Sequence, residues 1–322
     1  MPTRRQFLAS AAALAAYGSP AAAQAYPQRP VKVVVTFAPG GNSDSIARIA
    51  CQRLSDVLGQ TFVIENRPGA GGSLGAEQVA RAAPDGYTLL AAATPQFAIT
   101  PVLQKVSYDP VKDFAPISNV GSNPFVMSVN SKLPIKSVAD FIAYVRARPG
   151  KVTYGSGGVG TLNHLSMTLF AKLAGIEMTH VPYKGGGPAM ADLIAGHINS
   201  MFATLADALG QAGAGTIRLL AVSSDKRARQ IADVPTVIES GFPTFNTTTW
   251  NGLVAPAGTP KDIVDKIAGE IARASKDPGY VERLTRIGVD AIGDTPQEYA
   301  ATIAADVVFW ADAIKAAGLG RS

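Results

Sequence analysis

The chain has 322 residues, of which 47% are hydrophobic and 16% charged, with a formal net charge of +5. This excess of basic residues is too small and too dispersed to indicate nucleic-acid binding. Cys51 is the only cysteine, which excludes an internal disulfide and a cysteine metal site. The three histidines do not have metal-ligand spacing, so neither a metal nor another cofactor is expected.

Residues 1–25 have the pattern of an export signal. Arg4-Arg5 precede an apolar stretch, Phe7–Ala16, that is too short to span a bilayer. Small residues follow and permit cleavage after Ala23 or Ala25. The arginine pair resembles a twin-arginine signal, with an ordinary Sec signal as the alternative. No later apolar run has membrane-spanning length, so the sequence predicts a soluble periplasmic protein. The remaining length of about 300 residues predicts two domains.

The first stretch after the signal predicts a strand, a glycine turn and a helix. A β-branched run that begins at Val31 is typical of a buried strand, and Pro39 ends it. Gly40-Gly41 permit a tight turn, and Asn42-Ser43-Asp44 supply N-cap chemistry for a helix over Ser45–Leu58. A helix start of this kind directs free N–H groups at one point, where an anion binds. A plain tight turn is the alternative.

Strands and helices alternate along most of the remaining chain. The predicted strands are Phe62–Glu65, Tyr87–Ala93, Phe125–Val129, Val152–Tyr154, Met178–Tyr183, Ser200–Thr204, Arg218–Ser223 and Thr247–Pro256. The predicted helices are Leu74–Ala82, Val138–Arg146, Leu162–Ala174, Ala189–Ala195, Lys261–Ser275 and Pro296–Ala317. The proline-containing segment Pro101–Pro124 is predicted to be loop-rich. This order indicates an α/β fold with parallel sheets, whose carboxyl edges bind ligands. Thr94 lies at such an edge, on the side of the Gly40-Gly41 turn.

A second glycine-rich loop, Ser156–Thr161, also lies between a strand and a helix. Gly155, Gly157 and Gly160 match the G-x-G-x-x-G pattern of dinucleotide sites. That pattern needs an acidic residue at the end of the next strand, whereas Glu177 precedes it. A dinucleotide site is therefore disfavoured, but the loop can still bind an anion, because Gly157–Thr161 place N–H groups and a hydroxyl at a helix start.

An enzyme is the competing class. Ser156 lies between glycines, and His164 lies one turn into the next helix, which permits a catalytic dyad. The G-x-S-x-G motif of hydrolases is absent, and a histidine that packs or orients the loop is the favoured interpretation. His180 and His197 are expected to be structural, and Cys51 is expected to be a buried small hydrophobe.

Two acids and one further loop have open roles. Asp44 either complements the dipole of its helix or contacts a ligand. Asp207 follows the Ser200–Thr204 strand and either faces a cleft or caps a helix. The loop Gly69–Ser73 is interpreted as a structural turn in preference to a third anion site.

Several strings in a fixed order resemble one protein family. They are Pro39-Gly40-Gly41-x-x-Asp44, Glu65-Asn66-Arg67-Pro68-Gly69-Ala70-Gly71-Gly72, Asp85-Gly86-Tyr87-Thr88, Tyr154-Gly155-Ser156 with His164-Leu165, His180-Val181-Pro182-Tyr183-Lys184-Gly185, Val234-Pro235-Thr236 with Glu239-x-Gly241, and Ala255-Pro256-Ala257-Gly258-Thr259-Pro260. The family is that of the substrate-binding receptors of tripartite tricarboxylate transporters, also called Bug or TctC-like proteins. The resemblance covers residues 26–322.

The resemblance implies a two-lobed periplasmic binding protein of the type II, Venus-flytrap-like fold, each lobe a mainly parallel sheet flanked by helices. It implies a receptor that closes on a small carboxylate and presents it to membrane transporter subunits, without catalysis. An exported hydrolase or oxidoreductase that uses the same loops remains the alternative. The expected ligand-binding residues are Pro39, Gly40, Gly41, Asn42, Ser43, Asp44, Thr94, Ser156, Gly157, Gly158, Val159, Gly160, Thr161, His164 and Asp207.

The expected lobes follow from the two α/β series on either side of Pro124. Lobe one comprises residues 26–121 and 251–322, and lobe two comprises residues 122–250. Trp250 and Phe125 are expected near the strands that cross between the lobes, and closure is expected to be a hinge motion. The protein is expected to be a monomer.

Overall fold

The structure is a computed structural model that describes residues 26–183, 185–316 and 318–319. The predicted signal at residues 1–25 and the last residue of the predicted C-terminal helix, Ala317, lie outside the described residues. The strands are β1 Val31–Val35, β2 Phe62–Asn66, β3 Thr88–Ala93, β4 Phe114–Asn130, β5 Thr153–Ser156, β6 Thr179–Pro182, β7 Ser200–Thr204, β8 Ile217–Val222, β9 Thr248–Pro256 and β10 Asp290–Ala291. The helices are α1 Asn42–Leu58, α2 Ser73–Ala80, α3 Thr100–Leu103, α4 Val138–Arg146, α5 Leu162–Ala174, α6 Gly186–Ala195, α7 Leu205–Gly213, α8 Lys261–Ala274, α9 Pro278–Arg286 and α10 Pro296–Ala316.

The first sheet is built around β1. Strands β2 and β3 flank it in parallel, so that Val33 pairs with Ile64 on one side and Leu89 on the other. Four of the five residues of β1 are fully buried, because helices cover both faces of the sheet. This agrees with the strand–turn–helix predicted from the β-branched run. The antiparallel strand β9 follows beside β3, and β4 lies beside β9.

Strand β4 belongs to both sheets. Its first part, up to Pro124, pairs with β9, and its second part, from Phe125, pairs with β7. The prediction of a loop-rich segment over Pro101–Pro124 was therefore wrong for its second half. Prolines normally interrupt a ladder, but here the register shifts near Pro116, and Pro124 lies where β4 exchanges one partner strand for another. Neither position needs an uninterrupted row of N–H donors.

The second sheet repeats the plan of the first. Strands β6, β5 and β7 are parallel, and β4 joins them antiparallel to both β7 and β8. Each lobe thus has a parallel βαβ part, as predicted, but its sheet is mixed where the long strands enter it. The predicted α/β, two-lobed fold is confirmed.

Three helices were not predicted: α3, α7 and α9. Helix α9 begins with a recognisable signal, since Asp277 accepts a hydrogen bond from the N–H of Tyr280 at 2.9 Å and Pro278 occupies the first turn. Helix α7 is capped in the same way by Thr204, whose hydroxyl accepts from the N–H of Asp207 at 3.2 Å. Helix α3 extends a single helical turn at Pro95–Ile99 and is too short to show a period.

The C-terminal helix α10 packs on both lobes. Tyr299 and Ile303 lie in a core cluster with Trp250, whereas Trp310 and Ile314 lie in the core of the second lobe with Phe170. The indole of Trp250, on β9, donates to Asp306 at 2.6 Å, and burial raises the pKa of that carboxyl to about 6. The predicted lobe boundaries stay a prediction. No helix in the described ranges is long and apolar enough to cross a bilayer.

Candidate functional site

The turn between β1 and α1 is held by a buried carboxylate. Asp44 is 1% exposed and accepts hydrogen bonds from the N–H of Gly40 at 2.9 Å and from Asn66 at 2.8 Å. Arg48 adds two more, at 2.8 and 3.0 Å. Burial alone would raise the pKa of Asp44, but these donors outweigh it and leave the pKa below its usual range. Gly40 takes a left-handed φ of 80°, which lets its N–H face that carboxylate.

The next two side chains join α1 to the strands that link the lobes. Asn42 exchanges hydrogen bonds with Asn123 of β4 at 3.2 and 3.1 Å, and Ser43 donates to Asn251 of β9 at 2.6 Å. Asn251 in turn donates to Asn123 at 3.4 Å. The predicted contacts of Asn42 and Ser43 with a ligand would therefore have to come from their backbone N–H groups.

The second predicted loop, between β5 and α5, is organised by its own side chains. The hydroxyl of the fully buried Ser156 accepts from the N–H of Gly158 at 3.1 Å and lies 2.6 Å from Nε2 of His180. Thr161 donates to the carbonyl of Gly158 at 2.6 Å. Gly157 donates to the side chain of Asn163 at 3.3 Å. These bonds give the loop a single shape at the start of α5.

His164 orients the same loop. Its Nδ1 accepts from the N–H of Gly160 at 3.1 Å, and its ring stacks on that of His180 with centroids 3.9 Å apart. The ring of Tyr154 also stacks on that of His180, with centroids 4.9 Å apart. Burial, together with the neighbouring imidazole, lowers the pKa of His164 to about 4. His164 is thus a neutral imidazole at pH 7, in the positioning role that the sequence favoured, and the serine of the loop faces His180 instead.

A pH-dependent stability follows from this burial. Unfolded His164 has a pKa of about 6.5, so the unfolded state binds more protons between pH 6.5 and 4 and stability falls as the pH is lowered through that range. The loss is on the order of 2–3 kcal/mol. We expect His164→Asn, whose amide oxygen can still accept from Gly160, to remove most of this loss in urea unfolding at pH 7 and 4.5.

His197→Asn is the matched control, since that side chain is 72% exposed. Its stability at pH 7 should lie within about 0.5 kcal/mol of that of the unchanged protein. Equal slopes for the unchanged protein and His164→Asn would show that the imidazole does not titrate between the two states.

Thr94 and Asp207 occupy different surroundings. Thr94 is fully buried and accepts from the N–H of Trp250 at 3.1 Å, so its hydroxyl supports β9. Asp207 is exposed in the first turn of α7, where its N–H donates to the cap residue Thr204, and its own role stays open. A Cβ built on Gly186 would lie 3.7 Å from the carboxylate of Asp207. The neighbouring Gly185 donates to the carbonyl of Gly157, in the second loop, at 3.1 Å. Asp207 thus lies near the edge of the second loop.

A cavity of about 300 Å³ lies between the two lobes. From the second lobe it is lined by Val159–Leu162, and from the first by Phe37, Gly71 and the segment from Pro95 to Gln104. The lobes touch here, because a Cβ built on Gly160, whose φ is 79°, would lie 2.6 Å from Cδ1 of Leu103. Val159, Gly160 and Thr161 were predicted. The first-lobe wall was not, since the α3 region was interpreted as loop.

Backbone donors remain at both helix starts. Gly40 and Gly41 use their N–H groups within the turn, and Gly157, Gly158, Gly160 and Thr161 use theirs within the loop. Six other N–H groups have no acceptor among the described residues. They are those of Asn42, Ser43 and Asp44 in α1 and those of Val159, Leu162 and Asn163 at the start of α5. In the described ranges there is no group of three or more His, Cys, Asp or Glu that could hold a metal ion.

The Gly69–Ser73 loop has the contacts of a structural turn. Thr100 donates to the carbonyl of Gly71 at 2.9 Å, and Gln104 donates to that of Ala70 at 2.8 Å. These bonds hold the loop against α3 and present carbonyls, which repel anions. The turn therefore supports the wall of the cavity.

Two lobes joined by crossing strands, with a cavity and two helix starts between them, define the class of two-lobed solute-binding receptors. Residues 46–319 match the family described as the tripartite tricarboxylate transporter family receptor. The chain belongs to this family, whose members are substrate-binding receptors rather than enzymes. This agrees with the class predicted from the sequence, and the enzyme alternative is not supported.

The similar proteins match the chain almost from end to end. Protein BugT of Bordetella pertussis is 34% identical over 308 residues, which cover 95% of this chain and 94% of BugT. The structure of Rpa4515 of R. palustris with adipate is 36% identical with a TM-score of 0.80, over 92% of this chain and 99% of that one. MatC (Rpa3494) from Rhodopseudomonas palustris with bound malate is 32% identical with a TM-score of 0.75, over 90% of this chain and 100% of that one.

Proposed function

We propose that this protein is an extracytoplasmic receptor that binds a small carboxylate-bearing organic acid between its lobes and presents it to the membrane subunits of a tripartite tricarboxylate transporter. The observation that carries the proposal is the pair of helix starts whose N–H groups are still free to bind an anion. Membership of the receptor family supports it, as do the carboxylates bound by Rpa4515 and MatC.

The proposal also covers the export of the protein and the motion of its lobes. Solved members of the family include a periplasmic binding protein. We propose export to the periplasm, with cleavage after Ala23 or Ala25, and action as a monomer whose lobes, residues 26–121 with 251–322 and residues 122–250, close by a hinge motion. N-terminal sequencing of the secreted protein tests the cleavage site. Small-angle scattering with and without saturating ligand tests closure.

The bound carboxylate is held by the two predicted segments together. These are the Pro39–Asp44 turn, through the free N–H groups of Asn42, Ser43 and Asp44, and the Ser156–Thr161 loop, which His164 orients. Asp207 lies near the edge of the second loop, and Thr94 supports β9 by accepting from the N–H of Trp250. A hydrogen bond to a charged group contributes about 1.5–3 kcal/mol, so four or five, less the cost of closure, reach about −8 kcal/mol, or micromolar affinity. No buried arginine is needed.

Thermal-shift and calorimetric titration with mono-, di- and tricarboxylates tests the proposed function. Stabilisation by at least one of these acids, without turnover, is the expected result. A folded, mature protein that binds none of them would overturn the proposal.

Gly41→Val tests the place of the site. Gly41 has φ −74° and ψ 172°, which any residue adopts, and its Cβ would lie 3.4 Å from the carbonyl of Ala38. The protein should fold normally, but the new side chain would cover the N–H groups of the first turn of α1. We expect calorimetry to show at least a tenfold loss of affinity, about 1.4 kcal/mol or more.

Gly279→Val is the matched control. Gly279 also lies near a helix start, in α9, and its Cβ would lie 3.4 Å from an oxygen of Asp277. The Gly279→Val variant should bind the carboxylate with the same affinity as the unchanged protein. Unchanged affinity in Gly41→Val would mean that the carboxylate does not bind at this turn.

A further inference from the structure

The cavity between the lobes has a mostly apolar wall. The side chains that line it and carry no polar group are Phe37, Pro95, Ile99, Leu103, Val159 and Leu162. They come from both lobes, so the cavity exists only where the lobes meet. Its volume of about 300 Å³ is at the lower end of the range for small-molecule sites. The space therefore suits a compact apolar group.

The polar side chains in the wall are already satisfied. Thr100 donates to the carbonyl of Gly71 at 2.9 Å, and Gln104 donates to that of Ala70 at 2.8 Å. Thr161 donates to the carbonyl of Gly158 at 2.6 Å. No lysine, arginine or histidine lines the cavity among the described residues. A negative charge inside it would have no cation to pair with.

We propose that the ligand is a monocarboxylate with an apolar body, whose carboxylate binds the helix starts and whose body fills this cavity. The inference rests on the proposed function and names its substrate class. A second carboxylate at the far end of the ligand would lose its hydration without gaining a partner, and burying an unpaired charge is costly. An apolar end of the same length gains from burial in the same place.

Two matched pairs of acids test the inference in calorimetry. Hexanoate and adipate differ only at the far end of a six-carbon chain, and benzoate and terephthalate differ in the same way on a ring. In each pair that binds, we expect the monocarboxylate to bind at least tenfold more tightly. Adipate or terephthalate that binds as tightly as its matched monocarboxylate, or more tightly, would overturn the proposed substrate class. Binding of malate or citrate alone would do the same. Either result would leave the receptor function intact. Absence of binding by all of these acids would overturn both.

A change in the wall tests the position of the ligand body. Gln104 is half-buried, and an arginine there can still donate to the carbonyl of Ala70 while it adds a positive charge to the cavity. In Gln104→Arg, we expect the affinity ratio of adipate to hexanoate to rise at least tenfold. Gln104→Met, similar in length and neutral, should leave the ratio within threefold. An unchanged ratio in Gln104→Arg, with circular dichroism confirming the fold, would mean that the ligand body lies elsewhere.

Discussion

Asp44→Asn is expected to weaken ligand binding at least a hundredfold and to lower the free energy of unfolding by about 2–4 kcal/mol. The carboxylate accepts from two donors at each oxygen: Gly40 and Arg48 at Oδ2, Arg48 and Asn66 at Oδ1. An amide keeps one accepting oxygen and replaces the other with an NH₂ group. In either orientation of the amide, the NH₂ group faces two N–H donors, which lose their acceptor. The negative charge of the carboxylate, which strengthened the remaining hydrogen bonds, is also lost.

The effect on binding follows from the position of these donors. Gly40 belongs to the turn, and Asn66 also donates to the carbonyl of Phe37 at 3.1 Å, beside the cavity. Loss of the carboxylate therefore removes the hydrogen bonds that connect the turn to β2. The N–H groups in the first turn of α1 then lose the orientation in which they bind the ligand. We expect at least a hundredfold loss of affinity in calorimetry, and the stability loss is measured by urea unfolding.

Asp56→Asn is the control on the same helix. Asp56 is exposed and accepts from Gln52 at 2.7 Å, so its change should alter stability by no more than about 0.5 kcal/mol. Retention of affinity within threefold in Asp44→Asn would contradict the view that this carboxylate shapes the site.

Gly252→Ala is expected to destabilise the protein by about 3 kcal/mol or more. A Cβ at this position of β9 would lie 2.5 Å from the ring and hydroxyl of Tyr299 and 2.6 Å from the carbonyl of Ser118. Tyr299 is fully buried in α10, and Ser118 belongs to the neighbouring strand. Neither can move away cheaply, so the helix must separate from the crossing strands. Chemical unfolding measures the loss.

Gly210→Ala makes the same change where space is open. Gly210 lies inside α7, and no atom lies within 4 Å of the position of its Cβ. Alanine should stabilise this helix by about 0.5–1 kcal/mol. Similar stabilities for the two variants would show that the contact between α10 and β9 relaxes without cost.

The contacts of α10 bear on how the lobes move. The helix packs on the first lobe through Tyr299 and on the second through Trp310, and Asp306 is bonded to Trp250 on a crossing strand. The proposed hinge motion must keep these contacts or slide along them. The paired asparagines Asn42 and Asn123 lie at the same junction and connect α1 to it. The proposed closure would therefore also act on the turn between β1 and α1.

Much of the fold was predictable because it depends on local patterns. The bounds of α4, α5 and β7 agree with the sequence prediction, since amphipathic periods and flanking turns determine them. The long strand β4 was only partly predicted, since its prolines at positions 116 and 124 resemble loop signals when the partner strands are not known. Helix α9 could have been found from the cap at Asp277 followed by Pro278.

The sequence by itself determined the class of the protein and the two glycine-rich helix starts, because these depend on residues that are close together in the chain. Only the tertiary structure decided what each side chain at the site does. Asn42 finds its partner 81 residues away and Ser43 finds its partner 208 residues away. The wall of the cavity likewise combines Phe37, Leu103 and Val159 from separate elements. Such contacts depend on how the sheets pack, and no local pattern records that.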